Sequence, residues 1–233
     1  MQGAKTERLR LVSALEVASV VSSILLVVWG LAPLLPRQRA LQAIPLLLAL
    51  GLVVWSQWQR GETLTDLGLT MINFSRAMRL LAWPLLIAGG VMVAIGKVNG
   101  SLHLYKNFTT ALLLLPLSGI AQQYLLQSFI HRRLRQALGL ESDGHQNGEH
   151  WRRTLAITLT AAIFSLVHAP NMMLMLLTAI GGIVWSLVFD RASNIIAPGL
   201  THGMMSLLAI CTLPPWMLES MAVGYSHFLY RSF

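Results

Sequence analysis

Charge is scarce in this sequence. Only 11% of its 233 residues are Asp, Glu, Lys or Arg, against about 25% in a soluble domain, so an ordinary water-soluble globule is excluded. Cysteine is scarcer still. Cys211 stands alone, so no internal disulfide forms, and no Cys-x-x-Cys or His-Glu-x-x-His spacing offers a zinc site. Internal repeats and low-complexity tracts are absent too. What the chain has instead is hydrocarbon: 55% of it is hydrophobic, gathered into long runs such as LVSALEVASVVSSILLVVWGLAPLL and LLAWPLLIAGGVMVAI.

A helix needs about 20 apolar residues to cross a bilayer. On that length the runs predict an all-α, polytopic membrane helical bundle of about eight transmembrane helices. They fall near 11–35, 40–57, 79–96, 108–131, 153–168, 172–189, 195–211 and 213–230. The first run is too long for a signal-peptide core and is read as a retained span. It carries Glu16, which must face protein or the interface rather than lipid. The last run is the weakest, because it opens with Pro214-Pro215 and contains Glu219 and His227. Residues 60–78 mix polar and apolar positions and predict an interfacial amphipathic segment. Residues 137–152 predict a polar loop with DGHQNG at its tip. The whole is expected to be one integral-membrane domain, 1–233.

The net charge of +8 does not call for nucleic acid, since the basic residues lie between the spans. With the N-terminus placed in the cytoplasm, thirteen of the 17 Lys and Arg residues fall on the inside. Only Arg37, Arg39, Lys97 and Lys106 fall outside. That bias predicts a cell-membrane, multi-pass protein with both termini cytoplasmic.

Polar residues within spans are costly, and each needs a reason. In the stretch AQQYLLQSFIHRR, Gln122 and Gln123 lie about 100° apart on a helix, and Gln127 drifts back toward the side of Gln122. Amides of this kind either glue helices together or line a site. Phe164 and His168 share a helix face at i, i+4. Pro170 disfavours helical geometry at Ala169, so that helix is expected to end near His168, leaving a capping role and a site role both open. His202 lies inside the apolar run IIAPGLTHGMMSLLA, sharing a face with Ser206. Pro198 and Gly199 predict a kink just before it, and broken membrane helices often line sites. Asp190-Arg191 reads as a plain interfacial turn at a span end.

In order and spacing, these motifs resemble those of the CPBP intramembrane proteases, also called the CAAX prenyl protease 2 or Abi family. That family has Glu-Glu-x-x-x-Arg, then Phe-x-x-x-His, then His-x-x-x-Asn. The corresponding stretches here are Gln122-Gln123-Tyr-Leu-Leu-Gln127, Phe164-Ser-Leu-Val-His168 and His202-Gly-Met-Met-Ser206. The segments LTDLGLT and FDRASNIIAPGLTHG also resemble family stretches, so the likeness runs over approximately 60–210. Here both glutamates and the arginine are glutamine, and the asparagine is serine.

The resemblance implies a catalytic set of Gln122, Gln123, His168, His202 and Ser206, with Gln127 and Phe164 in substrate-binding or supporting roles. In the family the first glutamate and the second-motif histidine activate a water, and the third motif stabilises the oxyanion. A Gln amide cannot accept the proton as a carboxylate does, though it still positions a water through its acceptor and donors. Replacing the arginine together with the carboxylates avoids an unpaired buried charge. The implied function is an intramembrane endopeptidase of low activity acting on a membrane-associated peptide or protein in the bilayer, with no cofactor and no bound metal. The alternative is a catalytically silent relative that binds such a partner. A transporter is a third reading, but it calls for duplicated broken helices, and only one convincing break is present.

Overall fold

The computed structural model describes residues 2–140 and 149–231. The expected DGHQNG loop tip lies outside the described residues. Within them every regular element is helical. The helices, in chain order, are α1 (Gln2–Leu25), continued through a π-helical turn (Leu26–Leu31) into α2 (Ala32–Leu34), then α3 (Arg39–Gln59), α4 (Phe74–Asn99) and α5 (Phe108–Gln123). A second π-helical stretch (Tyr124–His131) joins α5 to α6 (Arg132–Ala137). After the polar loop come α7 (Glu149–Leu166), α8 (Met172–Ala192), α9 (Ile196–Thr212), α10 (Pro215–Leu218) and α11 (Tyr225–Arg231).

Among the described residues, five stretches are long and apolar enough to cross a membrane: Thr6–Leu34, Arg39–Gln59, Phe74–Asn99, Phe108–Ala137 and Met172–Ala192. At 1.5 Å per residue, α3 alone reaches about 32 Å, close to the roughly 30 Å hydrocarbon core. α9 is apolar but has 17 residues. The expected span at 213–230 is not one helix. It breaks into α10, a 3-10 turn (Glu219–Met221) and α11, with Glu219, Ser220 and Met221 all at positive φ. Between Arg60 and Asn73 the chain runs in turns, and Asn73 at φ 62 precedes the start of α4. Large apolar side chains stand exposed on the long helices, among them Leu47 and Leu48 of α3, Trp83 and Val98 of α4, and Leu113 and Leu117 of α5. Such faces suit lipid tails rather than water.

The chain forms two compact units. The first comprises Met1–Glu62, Phe129–Gly182 and Ala222–Phe233. Here α1 packs on α3 and α6 through a stripe at helical spacing, Ser13, Glu16, Val17 and Val20, all buried. Glu16 does face protein: it pairs with Arg60 at 2.8 Å and Arg133 at 3.1 Å. Arg133 is fully buried and also binds Glu62 at 2.6 Å. Ser56 donates to Glu16 at 2.8 Å.

The second unit comprises Thr63–Ser128 and Ile183–Met221. Its centre is the crossing of α5 on α9, where a Cβ on Gly119 would run into the Gly199 carbonyl and one on Gly203 into Leu115 and Pro116. Gly199 and Gly203 are a small-xxx-small pair. Membrane helices, which gain nothing from burying one apolar surface rather than another, associate closely at such pairs. Pro198 sits in the first turn of α9, where its missing N–H costs nothing. The kink expected before His202 is therefore a helix start, and α9 runs unbroken past His202.

Candidate functional site

The three glutamines do not act as one set. Gln122 is half-buried and donates from Nε2 to Ser118 Oγ at 3.1 Å, one turn back on α5. Gln123 and Gln127 are both fully buried, and Gln127 Nε2 donates to Gln123 Oε1 at 3.3 Å. Gln123 and Gln127 stand four residues apart, the spacing that brings two side chains together on one helix face, while Gln122, five residues from Gln127, lies on another face. A π-helical turn begins at Tyr124. Gln123 lies one turn beyond Gly119, on the face of α5 that meets α9. The amide pair leaves two groups without a hydrogen-bond partner, Gln123 Nε2 and Gln127 Oε1. One is a donor and the other an acceptor, and exchanging N and O in both amides would not change that tally.

His202 is buried in the same unit, on α9. Its ring stacks on Trp185 of α8, with centroids 4.7 Å apart and planes at 29°. Ser206 is half-buried, and its hydroxyl donates to the His202 carbonyl at 3.0 Å, so its proton is turned into its own helix. The start of α9 is fixed by Asn194, whose side chain accepts from Ala197 N at 2.9 Å and donates to the carbonyls of Thr70 (2.7 Å) and Ile72 (3.0 Å). The LTDLGLT segment docks on this same turn. Ile195 N donates to Gly68 O at 3.1 Å, and Gly68, at φ +70, approaches Ser193 O so closely that a Cβ would lie 3.0 Å from it.

Phe164 and His168 belong to the first unit. α7 ends at Leu166, and a turn through Pro170 follows, close to the expected end. His168 is half-buried. Its ring meets buried Phe164 edge-on, centroids 4.9 Å apart at 86°. His168 Nδ1 lies 2.6 Å from Phe164 O. A carbonyl only accepts, so Nδ1 carries the proton and the neutral ring presents its lone pair at Nε2. His131 makes a similar bond in this unit, from Nδ1 to Thr160 Oγ1 at 2.9 Å, with Thr160 passing its own proton to Ala156 O at 2.7 Å.

The structure thus groups the candidate residues by unit: Gln122, Gln123, Gln127, His202 and Ser206 in the second, and Phe164 and His168 in the first. Sequence reasoning missed Trp185, which carries no polar signal, and the two asparagine caps. Asn171 was legible in principle: an Asn just before an apolar helix is an N-terminal signal, and its Oδ1 accepts from Leu174 N at 3.1 Å. Among the described residues, no group of three or more His, Cys, Asp or Glu side chains is placed to hold a metal ion.

Residues 104–208, from just before α5 to near the end of α9, match the family model described as type II CAAX prenyl endopeptidase Rce1-like. Over these residues the chain is similar to this CAAX prenyl protease family. No curated protein and no solved structure matches it. The matched segment contains all three polar motifs, including the glutamine-substituted first one, while α1, α3 and α11 lie outside it.

Proposed function

We propose that this chain is a member of the CAAX prenyl protease family and an intramembrane endopeptidase of low turnover that hydrolyses a membrane-associated peptide or protein. The observation that carries the reading is the His168 imidazole, tied at Nδ1 to Phe164 O with its basic nitrogen left for a water. In this reading Nε2 takes a proton from the water as its oxygen adds to the scissile carbonyl. The resemblance assigns to His202 the role of donor to the developing oxyanion. The proton then passes from His168 to the leaving nitrogen as the C–N bond breaks, giving a carboxylic acid and an amine. The resemblance assigns the positioning of the water to Gln122, whose amide does not accept its proton. The protein lies in the cell membrane with both termini cytoplasmic, as its charge bias indicates.

A second reading is favoured by two details: the first motif holds no carboxylate, and the Ser206 hydroxyl is turned into its own helix. It makes the chain a silent relative that binds a membrane peptide. The test is hydrolysis of prenylated and unprenylated fluorogenic peptides by protein reconstituted in liposomes. We expect slow cleavage that is lost in both His168→Ala and His202→Ala. Cleavage unaltered by both substitutions would overturn the endopeptidase reading, and tight peptide binding with no turnover would establish the silent one.

A further inference from the structure

The turn that carries His168 is held by a part of the chain beyond the family match, which ends at residue 208. Gly224 N donates to Ala169 O at 2.7 Å. Asn171, fully buried, donates from Nδ2 to Ala222 O at 3.4 Å. The same asparagine caps Leu174 N, and its backbone N–H donates to His168 O at 3.2 Å. Three consecutive features of the turn (the His168 carbonyl, the Ala169 carbonyl and the Asn171 side chain) are therefore occupied, two of them by residues 222–224.

The strap is itself wedged from its other side. Gly224 adopts φ +58, and a Cβ there would lie 2.6 Å from Val28 O and 2.8 Å from Val28 Cβ. Val28 belongs to the π-helical turn Leu26–Leu31 of the first helix. Just beyond the strap, Phe228 of α11 meets Trp29 of that turn with ring centroids 6.1 Å apart. Glycine is needed at 224 for two separate reasons: the left-handed backbone, which L side chains rarely adopt, and the close approach to Val28. π-turns inside helices recur at functional sites, and here one supplies the backing surface for a strap that reaches the candidate base.

We propose that Gly224 and Asn171 are positioning residues for His168: the 222–224 strap, backed by the π-turn of the first helix, holds the 167–171 turn so that the imidazole keeps its Nδ1–H bonded to Phe164 O. The inference rests on the reading of His168 as a base, but its primary readout needs no activity. In protein labelled with nitrogen-15 histidine, the two ring nitrogens report the tautomer, and His168→Gln assigns the signal. The native protein should show one Nδ1–H tautomer for His168, and Gly224→Ala should give a mixture of the two. Asn171→Asp keeps an acceptor for the Leu174 cap, replaces the donor to Ala222 with an oxygen, and serves if Gly224→Ala does not fold. It too should give a mixture. Where cleavage is measurable, kcat should fall about ten- to hundredfold with KM little changed, as expected for a misplaced catalytic group. A single unchanged Nδ1–H tautomer in the folded variants overturns the proposal. A tautomer mixture in the variants together with no cleavage by the native protein overturns the catalytic reading alone.

Discussion

Gln122 and Gln123 are adjacent in sequence, yet one is tied only to a neighbouring hydroxyl and the other is sealed inside. The difference predicts opposite responses to the same substitution. A carboxylate in place of Gln122 meets Ser118 Oγ, whose proton is free to turn toward it, and restores the proton acceptor of the family motif. Since a general base contributes about 10²–10⁴-fold to rate, Gln122→Glu should raise peptide hydrolysis, by as much as about a hundredfold. An unchanged or lower rate would mean that Gln122 does not face the reacting water. Gln123→Glu puts a carboxyl where Gln123 Nε2 already lacks a partner, and an unsatisfied buried polar group costs about 1–3 kcal/mol, more if charged. It should lower the thermal unfolding temperature in detergent while Gln122→Glu leaves it nearly unchanged. Sequence alone marked all three glutamines as unusual in an apolar run. It could not say which of them is sealed in, because that depends on which face of α5 meets α9.

At the scale of the element, the long apolar runs were legible because a span is defined by composition and length, and both are written in the chain. Helix ends were legible where a backbone rule applied, as at Ala169-Pro170. What the sequence concealed were local departures: α9 begins at Ile196, so Pro198 opens the helix rather than kinking it, and 213–230 breaks at a run of positive φ values on Glu219, Ser220 and Met221, residues that rarely take that conformation. The α5–α9 crossing was also hidden, since glycines reveal a close approach only when the partner is known. That crossing yields a paired prediction. Gly119→Ala and Gly203→Ala each drive a Cβ into backbone, and overpacking of this kind costs about 1–3 kcal/mol. Gly51→Ala in α3 and Gly90→Ala in α4 meet nothing within 4 Å, so better helix propensity should make them neutral or stabilising by up to about 1 kcal/mol. Thermal unfolding of the four variants in one detergent checks the contrast, and equal effects at all four positions would remove the crossing as the organising contact of its unit.

At the scale of the whole chain, the scarcity of charge gives each charged group weight. Three arginines that the charge bias assigns to the cytoplasmic side, Arg60, Arg132 and Arg133, meet in one cluster with Glu16 and Glu62. The cluster lies within a single unit. Removing Arg133 leaves two buried carboxylates short of a partner, and breaking a buried pair typically costs about 3–5 kcal/mol, so Arg133→Ala should be among the most destabilising single changes in the first unit. The orientation itself can be tested with the one native thiol removed. In a Cys211→Ser background, Arg37→Cys should react with a membrane-impermeant maleimide added to intact cells, because the segment between α2 and α3 faces outward under the positive-inside rule. Arg8→Cys should react only after the membrane is opened. The reverse pattern would place the basic cluster outside, where no bias of lysine and arginine is expected, and would leave the arrangement of all thirteen inward-assigned charges without a physical cause.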